Sequence, residues 1–171
     1  MAQFFAIHPD NPQDRLIKQA ADIVRSGGVI VYPTDSCYAL GCKLGDKNAM
    51  ERILAIRKID QKHHLTLMCA DLSELGTYAK VDNAQFRQLK AATPGSYTFI
   101  LQATKEVPNR TLHPKRKTIG LRVPDNATAL ALLQELGEPI LSCTLMLPED
   151  EEPLTDPYEI RDRLEHAVDL V

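Results

Sequence analysis

Tryptophan is absent from this chain, and aromatic residues make up only 5% of it. Single-stranded nucleic acid is held largely by stacking bases on aromatic platforms, so that mode of binding has little to work with here. No apolar run approaches the ~20 residues that cross a bilayer. The start, Met1-Ala2-Gln3-Phe4-Phe5, lacks the basic flank and long apolar centre of a signal peptide. Repeats and low-complexity segments are missing too. Cysteine is sparse: Cys37, Cys42, Cys69 and Cys143 show neither a CxxC nor a Cys/His metal spacing. Each lies in or beside an apolar strand, so buried free thiols in a reducing cytoplasm are expected, and no structural metal. Nor is there a large excess of one charge, the net being −3. That figure hides an asymmetry. Residues 1–147 hold 18 Lys and Arg against 14 Asp and Glu, whereas residues 148–171 hold 2 against 9. A basic body with an acidic tail permits an anion-binding face without demanding one.

What is present is a chain of 171 residues, 44% hydrophobic, enough to bury one substantial core. Residues 1–171 read as a single domain. Helix and strand signals alternate without a linker. Asn11 and Pro12 fit the N-cap and first turn of a helix carrying Leu16, Ile17, Ala20, Ile23 and Val24, stopped by Gly27 and Gly28. A strand is expected over Val29–Tyr32, and Asp46 opens a helix bearing Met50, Ile53, Leu54 and Arg57. Leu65–Cys69 reads as a short strand. Asp71 with Glu74 forms a capping box, and Asp82 begins a helix that buries Phe86 and Leu89. Strands are expected at Tyr97–Leu101, Thr118–Val123 and Pro139–Thr144. Asn126 opens a helix closed by Gly137, and Asp156-Pro157-Tyr158-Glu159 opens the last one. The sum is an α/β protein, a twisted mixed sheet flanked by helices.

The most informative stretch is Gly28-Val29-Ile30-Val31-Tyr32-Pro33-Thr34-Asp35-Ser36-Cys37-Tyr38-Ala39-Leu40-Gly41-Cys42. An apolar, β-branched strand ends at Pro33, which has no N–H to give. Thr34, Asp35, Ser36 and Tyr38 then gather at the exit of a core strand, where polar groups converge on ligands or cap a turn. Three further blocks follow in order: Thr93–Leu101, Thr118–Pro124 and Pro139–Thr144. Together these four blocks resemble the YrdC-like family, and within it the YciO branch, related to the threonylcarbamoyl-AMP synthases of tRNA threonylcarbamoyladenosine formation.

The resemblance implies a YrdC/RibB-like fold with a concave basic face. It also implies ligands: a nucleotide, with ATP and its Mg²⁺ as substrate rather than a tightly bound cofactor, and L-threonine. The positions it marks for nucleotide and threonine are Thr34, Ser36, Tyr38, Arg57, Thr118, Arg122, Ser142 and Thr144, with His63 near the nucleotide. No residue is assigned as catalytic. In the family a Lys-x-Arg pair and a Ser-x-Asn pair steady the triphosphate, and the chain reads Arg57, Ile59, Thr144 and Met146 there. Ile59 offers no donor and Met146 only a weak thioether acceptor. Met68 stands where some synthases have histidine. The expectation is a synthase-like nucleotidyltransferase that is at most weak. The alternatives are an active synthase taking ATP, threonine and bicarbonate, or an enzyme acting on an acyl-adenylate made elsewhere.

The family is further associated with double-stranded RNA and tRNA. Lys58, Lys62, Arg110, Lys115, Arg116 and Lys117 would supply the phosphate contacts, with His113 beside them, in a mode that reads shape rather than sequence. No membrane partner is expected. Family members normally continue past Val168–Val171 with a Gly-rich turn and a final strand pair.

Overall fold

A computed structural model describes residues 1–59, 65–108, 111–112 and 115–171. Lys62, His63, Arg110 and His113, all singled out above, lie outside the described residues. The elements are α1 (Asp14–Arg25), β1 (Ile30–Pro33), β2 (Tyr38–Lys43), α2 (Lys47–Arg57), β3 (Thr66–Met68), α3 (Leu72–Tyr78), α4 (Asn83–Ala92), β4 (Phe99–Gln102), β5 (Thr118–Arg122), α5 (Ala127–Leu136), β6 (Ile140–Thr144) and α6 (Pro157–Leu164). The six strands form one mixed sheet in the order β1-β2-β6-β3-β5-β4. Only β3 and β5 run parallel; every other neighbouring pair is antiparallel.

Side chains alternate across this sheet and divide its core in two. On one face Ile30, Tyr32, Ala39, Met68 and Ile140 pack under Ala20, Ala21 and Val24 of α1 and Ala129, Leu132, Leu133 and Leu136 of α5. On the other, Leu40, Cys42, Leu67, Ile119, Leu121 and Leu141 meet Met50 and Ile53 of α2, Leu75 of α3, Leu89 of α4 and Ile160 and Leu164 of α6. All four cysteines are free thiols.

Local chemistry sets most boundaries. Asp46, Asp82, Asn126 and Asp156 each accept a backbone N–H of the turn they open, and Gly137 closes α5 at φ +75°. Asp82 and Gln85 complete a capping box. At α3 the box is displaced: Asp71 accepts from the Glu74 N–H, but Glu74 accepts from Ala70 rather than from Asp71.

Some expectations do not hold. The first helix begins at Asp14, not at Asn11-Pro12. The His8 ring nitrogen takes the Asp10 and Asn11 N–H groups, and the Gln13 side chain takes that of His8, so these residues form a turn. Phe86 is 46% exposed, because α4 sits at the rim and buries only Leu89. Tyr38–Lys43, where no separate strand was expected, is a strand hairpinned onto β1. Val168–Val171 forms a narrow parallel ribbon, with Leu170 bridging both Ile30 and Gln3.

Candidate functional site

Strand register alone gathers the candidate residues on one face of the sheet. Ser142 of β6 lies opposite Thr66 of β3, Thr66 opposite Gly120 of β5, and Gly120 opposite Ile100 of β4. These four share the face on which α1 and α5 pack over Ile30, Tyr32, Ala39, Ile140 and Met68. Thr144 and Thr118 are each two residues along from this row, so they occupy the same face at one end, and Arg122 occupies it at the other. Between β6 and β4 the face is open: Ile100 is half exposed, Thr144 is exposed, and Thr66 and Thr118 are half-buried.

The β1–β2 loop folds over this face and meets Arg122. Thr34 staples the loop, its Oγ1 accepting from the Ser36 and Cys37 N–H groups at 3.2 Å each and donating to the Cys37 carbonyl. Asn126 donates to the Thr34 carbonyl at 3.4 Å, tying the loop to the start of α5. Arg122 is only 6% exposed. Its Nε donates to the Gly95 carbonyl at 3.0 Å, Nη1 to Ser36 Oγ at 3.2 Å, and Nη2 to Asp35, with which it forms a buried ion pair. Asp35 also accepts from Ser96 Oγ at 3.5 Å. A guanidinium has five N–H donors, and these contacts use three. The fork is therefore held in one orientation with donors to spare.

Arg57 approaches from the end of the sheet. It is the last residue of α2, and its Nη1 donates to Cys143 Sγ at 2.8 Å and to the Thr144 carbonyl at 3.0 Å. Its Nε is buried without a partner among the described residues. Burial pushes the Cys143 thiol up, and the charge of Arg57 works against that shift. Lys58 then takes a left-handed conformation, φ +52°, and turns the chain so that Ile59 packs against the larger core. Ile59 thus faces the interior.

Two of the marked residues stand apart from this group. Ser142 is 1% exposed; its hydroxyl donates to the Leu40 carbonyl at 2.9 Å and receives the Tyr32 O–H at 2.6 Å. Burial raises the Tyr32 phenol well above its ordinary range, so it stays a donor. Tyr38 points to the opposite face, with Leu40 and Cys42, where burial and then Asp156 raise its phenol. The structure therefore brings together Thr34, Ser36 and Arg122 at one place and Arg57 and Thr144 at another, with Thr118 on the same open face. Lys58, Lys115, Arg116 and Lys117 are exposed. Among the described residues no cluster of three or more His, Cys, Asp or Glu is placed to hold a metal ion.

Reasoning from sequence set Asp35 among the polar residues at the strand exit but missed its pairing with Arg122, and missed Gly95 and Thr66 as parts of this face. Arg122 lies 87 positions from Asp35, so no short-range spacing reports the pair. Thr66 was legible only as a strand residue; its place beside Gly120 depends on strand order.

An open mixed sheet with helices on both faces, and a buried arginine fork under a strand-exit loop, defines a YrdC-type α/β domain. The chain belongs to the Sua5, YciO and YrdC family, described as telomere recombination, whose model matches residues 22–171. It is 67% identical to the YciO protein of Escherichia coli K12 over all of this chain and 83% of that one. The crystal structure of E. coli YciO superposes with a TM-score of 0.96, covering 99% of this chain and 82% of that one. A threonylcarbamoyl-AMP synthase of Chromobacterium violaceum is 37% identical over 135 residues, 78% of this chain and 69% of that one. The structure of Pyrococcus abyssi Sua5 complexed with L-threonine shares the fold, with a TM-score of 0.88 at 22% identity. That match covers 99% of this chain and 49% of the other.

Proposed function

We propose that residues 1–171 fold as one domain that works in the cytoplasm and binds a nucleotide and a small carboxylate on the open face of its sheet. In this reading it is a relative of the threonylcarbamoyl-AMP synthases with an impaired synthase site. The observation that carries it is the Arg122 fork. It is buried, aimed by Asp35 and Gly95, and set beside the Ser36 hydroxyl, an arrangement suited to gripping a carboxylate such as that of L-threonine. P. abyssi Sua5, of the same fold, has been solved with L-threonine. Arg57, Thr118 and Thr144 serve the nucleotide, and Mg²⁺ arrives on ATP as part of the substrate. Ile59, turned into the core, and Met146, with a thioether, leave the triphosphate short of two directed contacts.

Two measurements test this. Calorimetry with L-threonine and with MgATP should show binding of each that Arg122→Ala removes for threonine. ATP consumption with threonine and bicarbonate should fall far below that of a threonylcarbamoyl-AMP synthase; a rate equal to that control defeats the impaired-site reading. The retention of Ser36, Thr118 and Arg122 also suits an enzyme acting on an acyl-adenylate made elsewhere. Turnover of supplied threonylcarbamoyl-AMP by a protein inert toward ATP would select that reading.

We further propose that the protein binds double-stranded RNA or tRNA through phosphates. Lys58, Lys115, Arg116 and Lys117, exposed near the Thr118 end of the open face, support it. Such binding should be indifferent to sequence and steeply weakened by salt.

A further inference from the structure

A second crevice lies where the one parallel strand pair ends. β3 and β5 run side by side, and beyond them the chain parts. After β3 it enters α3, which packs Leu75 on one face of the sheet; after β5 it enters α5, which packs Leu132 and Leu133 on the other. Adjacent parallel strands whose connections leave toward opposite faces open a gap at their carboxyl ends, the place where α/β sheets hold ligands. Here the gap encloses about 550 Å³ over an apolar floor of Leu72, Pro94, Val123 and Leu130. Two charged residues line it: Asp71, which opens α3, and Lys90, in the last turn of α4. Asp71 Oδ1 accepts the Glu74 N–H at 2.8 Å, which leaves its second oxygen unused. Both residues are exposed, no ion pair joins them, and neither has another ion-pair partner among the described residues.

Two opposite charges over an apolar floor limit what can sit here. A simple anion on Lys90 meets the Asp71 carboxylate, and a simple cation on Asp71 meets the Lys90 ammonium. A neutral apolar molecule covers the floor but takes water from both charges and returns no bond. A molecule with an ammonium and a carboxylate on an apolar body satisfies all three surfaces. The surroundings of Asp71 add to the pull on an ammonium. Burial pushes the nearby Glu74 carboxyl up, and the charges of Asp71 and Glu138 push the same way, so this side of the crevice is acidic. We propose that the crevice binds a small zwitterion with an apolar side chain, a free amino acid or a dipeptide, with Lys90 on its carboxylate and Asp71 on its ammonium. Arg122 does not line this crevice; Pro94 does, and the next residue, Gly95, accepts from Arg122. One short segment therefore touches both sites, and the new one stands independently of the nucleotide and RNA readings.

Isothermal titration calorimetry of the full chain tests this, with L-leucine and L-leucyl-L-leucine as the zwitterions. Their single-charge counterparts are isocaproate, which lacks the amine, and isoamylamine, which lacks the carboxylate. At least one zwitterion should bind, and both single-charge molecules should bind ~10-fold or more weakly than it, each having lost a charge-assisted contact. The tighter of the two zwitterions identifies the source. Two variants place the site: Asp71→Asn, in which asparagine still caps α3, and Lys90→Gln. A thermal melt confirms that both are folded. Each should weaken the zwitterion ~10-fold or more. Asp71→Asn should erase its advantage over isocaproate, and Lys90→Gln its advantage over isoamylamine. No binding of either zwitterion by the unmodified protein overturns the proposal. Isocaproate binding as tightly as leucine also overturns it, since the crevice is then a plain anion site. Unchanged zwitterion affinity in either folded variant puts the binding elsewhere, the Arg122 fork included, and overturns the assignment to this crevice.

Discussion

In the proposed function Arg122 grips the carboxylate, and its chemistry separates a binding role from a structural one that one substitution would confuse. An exposed arginine can usually be cut to alanine within about 0.5 kcal/mol. Arg122 is instead paired with Asp35 at side-chain exposures of 8% and 14%. Removing it strands a buried carboxylate, so Arg122→Ala should destabilise the fold by roughly 3 kcal/mol in urea unfolding. Replacing both partners, as in Asp35→Asn with Arg122→Met, should recover part of that loss while still abolishing threonine binding. Arg122→Lys should not rescue binding, because a point charge cannot supply a planar fork. If Arg122→Ala leaves stability unchanged, the ion pair is not held in solution and the argument from burial fails.

At the scale of elements, two joints hold the β1 side of the sheet together. One is Gly41 on β2. A methyl group there would lie 2.7 Å from both Ile140 Cγ2 and Tyr32 Cε1, so only glycine lets Tyr32 lie flat and reach Ser142. Gly41→Ala should cost about 1–3 kcal/mol by overpacking, read as a lowered melting temperature. Gly76→Ala, at a position with open space and no positive φ, should cost nothing, and a matching loss there would show that contact does not set the effect. The other joint is Asp169, which accepts from Arg52 of α2 at 2.8 Å and from the Val29 N–H at 2.9 Å. Burial favours its protonated form, but the Arg52 and Val29 bonds outweigh that and hold the carboxyl below its ordinary 3.8. A depressed carboxyl stabilises the fold above its unfolded-state value and loses that contribution as pH falls through the folded one. Stability should therefore decline below about pH 4, and Asp169→Asn should flatten that decline. An identical acid limb in the variant would assign the loss to other carboxylates.

For the whole molecule, the proposed impairment rests on two side chains far apart in the sequence, Ile59 and Met146. Ile59→Arg with Met146→Asn adds hydrogen-bonding groups at both positions. Threonylcarbamoyl-AMP formation should rise ~10²-fold for each contact restored, about 10⁴-fold for the pair if the two are independent. Ile59 packs against the core, so the gain comes at a cost in melting temperature. Activity unchanged in a folded double variant would place the impairment elsewhere on the face.

Much of this architecture is local and was therefore legible in the sequence. Asp46, Asp82, Asn126 and Asp156 open helices where a capping side chain satisfies an orphan N–H, and Gly137 closes one where a positive φ is required. The Gly28–Cys42 string, with Arg122 and Thr118 on a later strand, marked the family, and in the proposed function it holds the two ends of the candidate site. Interactions within a few residues leave a spacing in the sequence. Those across the fold do not. That Asp35 locks Arg122, that Ser142 is spent on Tyr32, that Tyr38 faces the wrong side and that Ile59 turns inward all follow from strand order and register. These pairings bring together residues tens of positions apart, through a sheet whose order, β1-β2-β6-β3-β5-β4, is set by how both faces bury their apolar side chains at once.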